Sequence, residues 1–209
     1  MITRKGKPAL FVSLGGAVLI GLVCLSAYRL ARCADHVVLT LGEPYEHVRK
    51  QSRSTLPPVV PRVGWMGVLT RPAQLRFSDP QYGFATPAAR FLSVKYDRDG
   101  MVEGVTLSPQ VDALPLDDVL AIVMDLQDQL RRAHWQAFRA SRWRPIENTA
   151  DFRRAIRNCD DPTSYWNGGA KYQIALDIRC FRPEGRRDKE RFLITLDLNR
   201  PWMGDRPDE

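Results

Sequence analysis

Apolar side chains recur along this chain in three rhythms, and each marks a different kind of element. Leu116, Val119, Leu120, Val123, Leu126, Leu130 and Ala133 fall on one face of a 3.6-residue period. Asp117 and Asp118 open this stretch and Arg131 and Arg132 close it, so the charges oppose the ends of a helix dipole. Period and charge together predict a core-packed helix over 116–132. A shorter helix is predicted from Thr149 or Asp151 through Ile156, since either residue can cap it.

The second rhythm has period two. Leu92, Val94 and Tyr96 alternate with Ser93 and Lys95, Asp97-Arg98-Asp99-Gly100 follows as a turn, and Met101 to Leu107 returns as the second strand of a hairpin. Tyr172, Ile174, Leu176, Ile178 and Cys180 share one strand face, and Phe192, Ile194, Leu196 and Leu198 share another. The charged stretch 182–190 between them reads as a solvated connection. Upstream, His36 to Leu41 predicts a first strand and Glu43 to Gln51 a polar helix. Pro57 and Pro58 break the pattern, and Gly64–Thr70 and Gln74–Ser78 then read as neighbouring strands.

The third rhythm has no polar beat. Pro8 to Tyr28 is an uncharged, largely apolar run of 21 residues preceded by Arg4, Lys5 and Lys7, and a helix of that length spans about 30 Å. The exit, Ser26 to Cys33, holds neither a small-x-small cleavage site nor a lipoprotein box, so a retained single-pass anchor is expected. The basic excess before the run favours a cytoplasmic N-terminus and, in a bacterium, a C-terminal domain in the periplasm. The expected organisation is an anchor with its flanks, 1–33, and an α+β domain, 34–209, whose antiparallel sheet packs against helices. That domain is long enough for one core or for two interlocked halves, 34–110 and 111–209.

Charge then narrows the choice of partner. The chain carries 31 basic and 24 acidic residues, a formal +7, but 5 of the basic residues and none of the acidic ones lie in 1–33. The remainder is nearly balanced, which argues against nucleic acid. Cys159 and Cys180 can pair if they meet oxidant. Because Cys180 shares the inward strand face, that bridge requires the helix ending near Cys159 to pack on the same face. Two buried thiols remain the alternative.

No cofactor, metal or catalytic set is predicted. His36, His47 and His134 have no metal-pair spacing, Asp97-x-Asp-Gly lacks the glutamate of a calcium loop, and neither a nucleophile elbow nor a phosphate-binding glycine loop occurs. The candidate binding residues are aromatic. Trp135, Phe138 and Trp143 interleave with Arg139, Arg142 and Arg144, and Tyr165-Trp166-Asn167-Gly168-Gly169 reads as a loop. Such rings anchor protein partners or cover a core while guanidinium groups stay wet. Trp143, Arg144, Tyr165, Trp166 and Asn167 are accordingly the expected partner-binding set.

Leu41-Gly42-Glu43-Pro44 and the segment Phe91 to Val102 resemble small envelope proteins with a beta-lactamase-inhibitor-like fold, over residues 36–108. One anchor, a small α+β domain and no visible catalytic set also resemble immunity proteins that neutralise type VI secretion effectors such as lipases. That resemblance implies a membrane-anchored immunity or inhibitor protein of the bacterial inner membrane whose partner is a secreted effector. The alternative is a structural or accessory subunit of a cell-envelope complex.

Overall fold

The computed structural model describes residues 35–60, 62–181 and 190–206. The expected membrane run and most of the charged connection therefore lie outside the described residues. Those residues belong to one compact unit, Asp35–Glu209, built from two sheets and three α-helices.

The smaller sheet has three strands in the order β1-β3-β4. In it, β1 (His36–Leu39) runs parallel to β3 (Ala73–Phe77), which pairs antiparallel with β4 (Phe84–Ala89). Helix α1 (Tyr45–Gln51) follows β1. The larger sheet is wholly antiparallel and has seven strands in the order β2-β5-β6-β10-β9-β8-β7. Its strands are β2 (Trp65–Val68), β5 (Leu92–Tyr96), β6 (Val102–Leu107), β7 (Gln136–Ala137), β8 (Thr163–Gly168), β9 (Tyr172–Phe181) and β10 (Arg191–Asn199). Pairing of β6 with β10 joins the two halves of the chain into one ladder.

Helix α2 (Leu116–Arg132) buries Leu116, Val119, Leu120, Val123, Leu126, Gln127 and Leu130, and lies against β10 and β4. It covers the front of the large sheet, where Val94, Leu107, Leu196, Leu176 and Ile178 are fully or almost fully buried. One contiguous core results, continued into the small sheet by Phe77, whose ring meets that of Tyr172 edge-on at 5.1 Å. Buried glutamines extend the hydrogen bonding beyond the ladders. Gln127 holds both backbone groups of Ile146 at 2.8 and 2.9 Å, and Gln110 accepts from Ile194 N while donating to Phe192 O.

Two helix ends have the same closure. After α2, His134 takes φ 60°, its N–H donates to Arg131 O and that of Trp135 to Leu130 O. After α3 (Ala150–Arg157), Cys159 takes φ 64°, with Cys159 N bonded to Ile156 O and Asp160 N to Ala155 O. These paired bonds form Schellman motifs, in which the left-handed position usually holds glycine. A side chain there costs roughly 1–2 kcal/mol. At Cys159 the conformation is tied to a disulfide with Cys180, with Cα atoms 5.3 Å apart, that fastens α3 to β9.

Several expectations are corrected. Gln74–Ser78 does not neighbour Gly64–Thr70, because β3 and β2 belong to different sheets. The parallel β1–β3 pair departs from a single antiparallel sheet, and β4, with its Pro87 interruption, carried no clear alternation. Tyr165 to Gly168 is strand rather than loop. Among the described residues no helix is long and apolar enough to cross a membrane. Among the described residues, the expected fold of a membrane helix carrying one antiparallel sheet is replaced by a two-sheet, three-helix α+β fold, and no helix there supports the single-pass inner-membrane address.

Candidate protein-binding face

Strand alternation gives the large sheet two faces, and only the front carries α2. On the rear, Phe138, Tyr165, Ala175, Asp197, Thr106, Ser93 and Val68 form one row across the ladder, as the pairing registers and the Phe138 N to Tyr165 O bond require. Apolar residues at the two ends therefore flank a polar centre.

At one end, Tyr165 lies among Phe138, Trp143 and Trp202, with ring centroids 5.3, 5.2 and 5.9 Å away. The Arg142 guanidinium sits 4.7 Å from the Trp143 ring, a cation–π distance. Trp202 stays 46 % exposed. Its backbone is fixed from below by the buried Gln173, whose Oε1 accepts from Trp202 N at 3.2 Å and Met203 N at 2.9 Å. Gln173 Nε2 donates to Met203 O and Asn167 Oδ1, both at 2.8 Å. Asp205 holds the next turn by accepting from Arg139 N and Nε at 3.0 and 3.2 Å. A segment with no regular secondary structure is thereby held against the sheet with one large ring facing water.

The polar centre holds two carboxylates on adjacent strands. Asp177, 5 % exposed, accepts from Arg179 Nε at 2.9 Å. Burial raises its pKa and the nearby Asp197 adds to this, outweighing the opposing pull of Arg179 and Thr195. Asp197 accepts from Thr106 Oγ1 at 2.6 Å. Tyr165 is raised in turn, by burial first and then by the charges of Asp177 and Asp197. Beside them Asp197, Asn199, Arg200 and Trp202 line an open cavity of about 390 Å³. Among the described residues no group of three or more His, Cys, Asp or Glu is arranged to hold a metal ion.

The five residues expected to bind a partner do not form one surface. Trp143 and Tyr165 meet in the aromatic cluster, and Asn167 supports it through Gln173. Trp166 faces the other way, as strand alternation dictates: it is 1 % exposed, its Nε1 donates to Ser164 Oγ at 3.2 Å, and Arg131 covers its ring at 5.4 Å. Arg144 is elsewhere, over Phe152 at 5.1 Å. Trp202, the most exposed ring of the cluster, was missed because only long-range docking of the chain end brings it to Tyr165. Gln173 shares the second face of β9 with Ala175, Asp177 and Arg179, so alternation marked it as an ordinary polar-face residue and gave no signal that it would be buried under the Trp202 segment.

No protein-family model, curated protein or solved structure matches this chain. The reading as a membrane-anchored immunity protein, with the inner membrane and a lipase-like effector as partners, is corrected. It depended on an anchor joined to a single recognition surface. No membrane-crossing helix occurs among the described residues, and the aromatic set divides between core and surface. What stands is an α+β domain whose large sheet, among the described residues, carries α2 on one face and only the short 3-10 turn Ser141–Trp143 on the other.

Proposed function

We propose that this domain is a structural or accessory subunit of a cell-envelope assembly and works by binding protein rather than by turnover. The observation that carries the reading is the aromatic cluster of Trp143, Tyr165 and Trp202, clamped by Gln173 and Asp205 on the sheet face opposite α2. Partly exposed aromatic rings backed by rigid strands provide contact area at small entropic cost, and the flanking Arg142 and Arg200 supply orientation. The Cys159–Cys180 bridge favours an oxidising compartment. The test is site-specific photocrosslinking in living cells, with the photoreactive residue at 202 or, as a control, at Asp125 on the exposed side of α2. Stoichiometric crosslinking of one assembly component from position 202, in the absence of any delivered toxin, is expected. Equal crosslinking from 125, or none from 202, would refute the assignment.

A further inference from the structure

Beside the polar centre of the rear face, further along β9 and β10, lies a second cavity, of about 360 Å³, with a different chemical character. Phe91, Val111 and Leu193 give it apolar lining, and Arg90 and Arg179 line it as well. Phe91 and Val111 are 43 % and 37 % exposed. Isolated exposed apolar residues are ordinary on protein surfaces, but these two converge on one cavity with Leu193.

The two arginines are partly committed. Arg90 donates through Nε to Val111 O at 2.7 Å and through Nη2 to Asp112 Oδ1 at 3.1 Å. Arg179 donates through Nε to Asp177 at 2.9 Å and also feels the charges of Asp161 and Asp197, while its 61 % exposed side chain keeps the guanidinium accessible to an incoming anion. These bonds also orient both guanidinium planes before a ligand arrives. Gln110, in the pocket wall, is saturated by Asp112 O, Phe192 O and Ile194 N, and Ser108 Oγ donates to Ile194 O at 2.7 Å. Thr195, the remaining polar lining residue, bonds to Asp177, so the charged groups that can meet a polar head are the two arginines.

We infer that this pocket binds the carboxylate end of an apolar chain. A planar carboxylate matches an arginine fork, the apolar lining accepts an aliphatic or aromatic tail, and the volume is at the small end of ligand pockets, which run from about 300 Å³. A bare inorganic anion would leave the apolar lining wet, and a neutral hydrocarbon would cover two ion-paired arginines without adding a partner for either. The same chemistry occurs in a free apolar acid and in the C-terminus of a polypeptide ending in an apolar residue. The pocket does not depend on the protein partner proposed above, so its test uses the chain alone.

The experiment is calorimetric titration of the full 209-residue chain with octanoate, octanamide, and acetyl-Gly-Gly-Leu bearing either a free or an amidated C-terminus. Octanoate is expected to bind and octanamide to bind at least about tenfold more weakly, the effect of losing one charge-assisted contact. The free peptide exceeding octanoate identifies a chain terminus as the better occupant, and the reverse identifies a free acid. Arg179→Gln should weaken octanoate about tenfold. Because Arg179 also pairs with Asp177, Arg90→Gln and Phe91→Ala, both at exposed positions, give the same test if Arg179→Gln unfolds. Absence of octanoate binding, equal binding of octanamide, or indifference to both Arg90→Gln and Phe91→Ala would overturn the inference.

Discussion

Two aromatic clusters, each beside a buried carboxylate, lie on opposite faces of the large sheet and differ in how fully their polar groups are satisfied. In front, Phe77, Tyr82, Phe84, Trp135 and Tyr172 pack with centroids 5.1–6.3 Å apart. Trp135 Nε1 donates to Tyr82 O at 3.0 Å. Asp79 closes the cluster by accepting from Gln81 N, Tyr82 N and the Tyr172 hydroxyl, each at 2.9 Å. Burial alone would raise Asp79, yet these donors and Lys171 hold it below its ordinary value; burial and Asp79 push Tyr172 up to about 12. On the rear, Asp177 lies above its ordinary value, and Trp202 remains in water. The contrast separates a cluster that joins two sheets from one that is open to a partner.

The largest expected difference between them is in stability. Trp135→Ala should cost about 3–5 kcal/mol by removing a buried ring from the junction of the sheets, whereas Trp202→Ala should cost less than about 1 kcal/mol while abolishing partner crosslinking. Urea unfolding of both variants measures this, and equal losses would erase the distinction. Next in size is the covalent tie. Replacing Cys159 and Cys180 by serine should remove about 3 kcal/mol, the usual effect of opening a loop of this size, with α3 loosened and the rear face intact. Unfolding in the presence and absence of reductant gives the same comparison in the unaltered chain.

Gln173→Ala should cost about 1–3 kcal/mol because several backbone and side-chain partners lose their bonds within a buried site. Its specific signature is faster amide exchange at Trp202 and Met203, with Trp135 still protected. The smallest effects are in pH dependence, and they have opposite signs. Asp79, held below its ordinary value, stabilises the fold above about pH 4, and this contribution fades as pH falls through the folded-state value. Asp177, held above its ordinary value, gives a contribution that is full below the ordinary carboxylate value and is lost as pH rises through the folded-state value. Asp79→Asn should therefore flatten the acid limb of a stability profile. Asp177→Asn should improve neutral relative to acid stability, and profiles changing in the same direction would contradict the assignment.

Elements with unbroken periodicity were legible from the sequence. Helix α2 has the predicted bounds, because dipole-matched charges and a continuous apolar stripe agree along it. The β5–β6 turn follows its local chemistry: Asp97 Oδ1 accepts from Asp99 N and Met101 N, both at 2.9 Å, and Gly100 takes φ 76°. β4 was not legible, since Thr86 and Pro87 interrupt it and its edge is completed from elsewhere, with Ala85 N donating to Gln129 Oε1 on α2 at 3.0 Å. The site was half legible: aromatic composition selected Trp143 and Tyr165 but could not assign Trp166 to the opposite face while 165–169 read as a loop.

The sequence by itself determined helix α2, the β5–β6 and β9–β10 hairpins, the Asp97–Gly100 turn, and which strand face Cys180 shares, because these depend on neighbours a few residues away. Only the tertiary structure decided that β2 and β3 belong to different sheets, that Trp202 joins Tyr165, and that Arg90 and Arg179 flank one cavity. Those outcomes depend on strand order and on the docking of distant chain segments, and a local pattern of polar and apolar residues is compatible with many such arrangements.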